Sequence, residues 1–94
     1  MAMLTEDKNQ FLNGLINGVI KEYNTPHTLE IFQNEMNYSS DDYFDTLTEL
    51  VLIGHISGVV LGNSRNLNGN IVKIIDFTPL DGLKEFNCKG GFVD

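Results

Sequence analysis

The hydrophobic period of this chain changes at one residue, Gly54, and that change limits what the chain can fold into. Before Gly54, apolar side chains recur every three to four positions, the spacing of a helix with one buried face. After it they fall in β-branched runs with the habit of strands. A helical part followed by a strand part within 94 residues makes an α+β domain with one core. A chain of that length buries roughly 60 to 65% of its unfolded surface and has no room for a second core. Hydrophobic content of 41% with 20% charged residues is the composition of a folded chain.

The elements follow from local signals. Phe11, Leu12, Leu15, Ile16, Val19, Ile20 and Tyr23 mark the apolar face of a first helix, opened near Thr5 to Asp7 by an oxygen cap and early acids. Gly14 and Gly18 sit one turn apart on it and call for the close approach of another backbone, within the domain or in a dimer. Pro26 suits the first position of a second helix, with Leu29, Phe32 and Met36 as its stripe. Ser39 and Asp42 have the spacing of a capping box, Tyr38 and Tyr43 that of a hydrophobic staple, and Phe44, Leu47, Leu50 and Val51 form the core face of a third helix over 39–53. Gly54 is its left-handed stop.

The runs "HISGVVL" and "IVKIIDF" then read as a β-hairpin whose tip is residues 62–70, rich in Gly and Asn. Both faces of the second strand carry apolar residues, so something must cover the outer one. A closing helix is expected from Thr78 and Pro79 through Leu80, Leu83 and Phe86. Residues 88–94 read as a loose tail on a single domain whose core spans about 6–87.

Three helices forming a helix-turn-helix core, a hairpin wing and a short C-terminal helix are the parts of a winged helix. The stretches "VIKEYNTP", "ELVLIGHISGV" and "DFTPLDGLKEF" resemble the YjcQ-like family of small winged-helix proteins from Gram-positive bacteria and their phages. The resemblance implies the winged-helix fold and is consistent with a phage or prophage origin; it implies no reaction.

Charge separates the two parts. Residues 1–53 hold nine acids against Lys8 and Lys21, whereas the remainder holds four of each sign, giving a net charge of −7. In a DNA-binding winged helix the third helix enters the major groove. Here it carries Asp41, Asp42, Asp45 and Glu49 and no Lys or Arg. A like-charge contact at about 4 Å costs about 1 kcal/mol even at the dielectric of bulk water, so docking this helix on phosphates is disfavoured. Those four acids, with Glu35 nearby, are instead the candidate contacts for a protein partner with a basic surface, such as the nucleic-acid site of another protein. The expectation is a small acidic regulatory or interaction protein, a modulator of host nucleic-acid machinery if phage-borne. The alternative is a DNA-binding regulator that uses its wing. Residues 54–75 hold Arg65 and Lys73 and no acid, and Asn63, Asn66, Asn68 and Asn70 offer hydrogen-bond donors.

No catalytic or metal-ligating set is present in the sequence. His27 and His55 are isolated, Cys88 is alone, and no HExxH, CxxC, GxSxG or phosphate-binding loop occurs, so neither an enzyme nor a cofactor is expected. The acids at 41, 42 and 45 have the wrong spacing for a calcium loop. One cysteine, no leader pattern and no long apolar run point to a cytoplasmic protein off the membrane. Pairing of two copies stays open.

Overall fold

Leu12 and Leu15 anchor the first helix to the core, and the computed structural model, which describes residues 3–31, 38–65 and 67–94, shows how that helix changes pitch between them. Helix α1 spans Thr5–Gly14 and continues as one π-helical stretch, Leu15–Val19, closed by the Ile20 N–H donating to the Leu15 carbonyl at 2.8 Å. An α-helix would turn Ile20 well away from Leu15; the wider π turn leaves both buried. The helix therefore ends at Val19, short of the expected Tyr23. Its N-cap is Leu4, without the expected side-chain cap. Nor does the chain's own backbone approach Gly14 or Gly18 among the described residues, since a Cβ on either would meet nothing within 4 Å.

The second helix expected from Pro26 is, over its described part, strand β1, His27–Ile31. Pro26 biases Thr25 away from helical backbone. His27, Leu29 and Ile31 then alternate inward while Thr28 and Glu30 are exposed. Residues 32–37, which include Phe32, Glu35 and Met36, lie outside the described residues.

Helix α2, Ser40–Leu52, has the expected ends. Ser39 and Asp42 form the capping box, and the Tyr38 and Tyr43 rings meet edge to face at 6.3 Å. At its C-terminus the Gly54 N–H donates to the Val51 carbonyl and the His55 N–H to that of Leu50, a Schellman pair permitted by φ of 81° at Gly54. Strands β2, Ile56–Arg65, and β3, Ile71–Pro79, form a hairpin whose strands are longer than expected. Gly58 and Val59 together oppose Phe77 in a bulge, Gly58 at φ 64°.

β3 lies between the other two strands, order β1-β3-β2, both pairings antiparallel, with Leu29 opposite Ile75 and Leu61 also opposite Ile75. Thr78 and Pro79 thus belong to β3, and the last helix, α3, begins later, at Gly82–Cys88, without a side-chain cap. The described residues form an α+β fold of three helices and one three-stranded antiparallel sheet. Leu12, Leu15, Leu47, Leu50, Phe77 and Leu83 are at its centre.

The segment read as a loose tail is held on α1. Asn9 donates from Nδ2 to the Phe92 carbonyl at 3.0 Å and accepts the Phe92 N–H at Oδ1 at 2.8 Å. Phe92 also packs edge to face on Phe86, and Thr5 hydrogen-bonds Asp94. Among the described residues no helix is long and apolar enough to cross a membrane.

Candidate functional site

The acids of α2 divide by what the fold asks of them. Asp42 is buried; its Oδ2 accepts from the Ser39 hydroxyl at 2.8 Å and from the Ser39 N–H at 3.0 Å. These bonds, the hydroxyl's foremost, hold its carboxyl below the ordinary Asp value. Glu49 receives both its bonds from Lys8, at 3.0 and 2.9 Å, a pair that joins α2 to α1. Lys8 also lies 5.4 Å from the centre of the Phe92 ring, so one ammonium ties together α1, α2 and the C-terminal segment. Asp41 and Asp45 are exposed, one turn apart on the outer side of the helix. Asp42 is therefore buried in the helix cap, Glu49 is engaged by Lys8 while its side chain stays 45% exposed, and Asp41 and Asp45 remain on the surface. Glu35 lies outside the described residues.

Near the same end of α2, the Tyr38 hydroxyl hydrogen-bonds Asp7, which raises its pKa above that of a free phenol. The Tyr43 phenol is also raised, by burial first.

On the hairpin, Asn63 pairs with Lys73 and Arg65 with Ile71 across the strands, which puts the four side chains on one face. With Ser64 they line a cavity of about 500 Å³. Arg65 bends over the turn and donates from Nη1 to the Gly69 carbonyl at 2.9 Å. Asn68 and Asn70 are exposed and Asn66 lies outside the described residues. The exposed apolar side chains Leu67 and Ile71 accompany these polar groups. Leu67 lies in the stretch that the sequence reads as the hairpin tip, and Ile71 in the run it reads as strand.

A second cavity, about 240 Å³, is lined by Ile31, Tyr38, Ser39, Ser40, Asp41 and Lys73. It links the surfaces that the sequence presents as separate, because Lys73 of the hairpin and Asp41 of α2 share its wall.

The two histidines have structural partners. His27 accepts the Lys21 N–H at Nε2, 3.0 Å away, sets Nδ1 2.8 Å from the Thr25 carbonyl, and stacks on Phe77. His55 packs against Phe86. Cys88 is exposed on α3, and among the described residues no three His, Cys, Asp or Glu side chains gather as a metal site would require. No family model, no curated protein and no solved structure matches this sequence.

Proposed function

We propose that the chain is a winged-helix protein that acts by protein contact, presenting Asp41 and Asp45 of α2 to a basic surface of its partner. The order helix, strand, helix, hairpin, with β3 between β1 and β2, supports the winged-helix reading, in which α2 is the recognition helix and β2–β3 the wing. The YjcQ-like resemblance is consistent with it. One observation carries the choice of partner. After Ser39 has engaged Asp42 and Lys8 has engaged Glu49, the outer side of α2 still bears two carboxylates and no Lys or Arg. A partner whose basic surface otherwise holds nucleic acid fits that chemistry.

The wing keeps a second reading in play, since Asn63, Arg65 and Lys73 surround one cavity and could meet a phosphate backbone. Asp41 weighs against it, because a phosphate approaching Lys73 meets that carboxylate in the adjoining cavity.

The test is affinity capture by the full chain from the native host, with and without nuclease, repeated with the Asp41→Asn/Asp45→Asn variant. Nuclease-resistant capture that the variant loses is the expected result; capture unchanged by the double substitution overturns the reading. In parallel, a mobility shift on duplex DNA at low salt that is lost on Arg65→Ala/Lys73→Ala would favour the wing.

A further inference from the structure

The hairpin extends beyond its helical cover. Along the face of β3 that makes the core, Phe77 and Ile75 are buried, Lys73 is half-buried and Ile71 is 63% exposed. Asn63 and Arg65, opposite Lys73 and Ile71, continue that face on β2, and Leu67 is exposed beyond them. The result is an uncovered ledge, apolar at Ile71 and Leu67 and cationic at Arg65 and Lys73; its own stretch from Gly54 to Ile75 contains no carboxylate, and Glu30 of β1 shares a cavity with Arg65 and Leu67. Through the cavity shared by Lys73 and Asp41, the ledge adjoins the exposed acidic side of α2.

We propose that the ledge is covered by a second copy of this chain, the two related by a two-fold axis that sets Asp41 and Asp45 of each copy against Arg65 and Lys73 of the other. An isologous contact needs complementary patches on one continuous face of each subunit, either side of the axis. The shared cavity supplies that adjacency. A chain of net charge −7 repels its own copies in general. This orientation replaces repulsion at the contact with attraction, and it buries Ile71 and Leu67 as the apolar centre that charge pairs alone would lack. The inference rests on Asp41 and Asp45 being contact residues and names what they contact.

Size-exclusion with multi-angle light scattering tests it on the full chain, over a concentration series at low and high salt. Two charge-reversed variants accompany the wild type, Asp41→Lys/Asp45→Lys and Arg65→Glu/Lys73→Glu. The wild type is expected to run as a dimer that salt dissociates. Each variant alone faces like charge across both halves of the contact and is expected to run as a monomer. An equimolar mixture restores attraction in both halves and is expected to run as a heterodimer. A wild type that stays monomeric at the highest concentration and low salt overturns the proposal, as do variants that dimerise alone or a mixture of folded variants that stays monomeric. If either variant fails to fold by circular dichroism, the wild type decides: a dimer indifferent to salt overturns the proposal. A monomeric wild type that still captures a different protein through Asp41 and Asp45 removes the second copy while leaving the protein-contact reading standing.

Discussion

Ser39 and Asp42 illustrate how a residue can be legible in sequence for one task and be expected in a second that its burial works against. Their spacing announces a capping box, and the fold contains one. The same Asp42 also counts among the acids expected to face a partner, yet a carboxylate buried against Ser39 has no surface to offer. Glu49 was harder to read, because the Lys8 that neutralises it lies 41 positions earlier and nothing local pairs them. Ser39→Ala should remove the hydroxyl's part of the cap and lower stability by about 1 kcal/mol, measured by chemical denaturation. The pH dependence has a definite sign. The folded chain holds the Asp42 carboxyl below its ordinary value, so its contribution is present above that ordinary value and is lost as pH falls through the lower folded one. Ser39→Ala should therefore weaken the acid-induced loss of stability. An acid limb parallel to that of the wild type would show that the Ser39 hydroxyl does not set it.

At the scale of elements, legibility followed locality. α2 was readable because its cap, staple and stop are all set within a few residues, and the hairpin because its runs and turn are contiguous. β1 was not, since Leu29 fits a helical stripe with Phe32 and an alternating one with Ile31 equally well, and the choice is made by pairing with β3 almost fifty positions away. The π turn is similar; the position of Ile20 is set by the core it reaches. The bulge in β2 gives a test of the hairpin that is independent of side-chain packing. Gly58 has φ of 64° and open space where a Cβ would stand, so Gly58→Ala carries a backbone cost alone, about 1 kcal/mol. Gly58→Asn should cost less, because Asn tolerates the left-handed region. Equal losses for the two, by thermal denaturation, would mean that the bulge relaxes into regular pairing.

Across the whole molecule, the C-terminal segment shows why a short chain cannot be divided into core and appendage from its sequence. Gly90, Gly91 and the polar residues before them read as an ending, yet Phe86 finds its cover in Phe92, 83 positions from the Asn9 that holds it. Gly91 is fitted to this contact: its φ is 67° and an added Cβ would lie 2.3 Å from Asn9 Oδ1. Deleting 91–94 removes the two Asn9 bonds, at about 1 kcal/mol each, and the half-buried Phe92 ring, at about 1 kcal/mol more, for a loss on the order of 3 kcal/mol. A domain of this size holds roughly 5–15 kcal/mol in all, so the truncated chain should keep its far-UV circular dichroism near room temperature and melt roughly 12–24 °C earlier. Asn9→Ala in the full chain should reproduce the hydrogen-bond share of that shift and leave the Phe92 share in place. A melting temperature unmoved by the deletion would return these residues to the status of a tail and leave Lys8 and Asn9 without a role in joining the two ends of the chain.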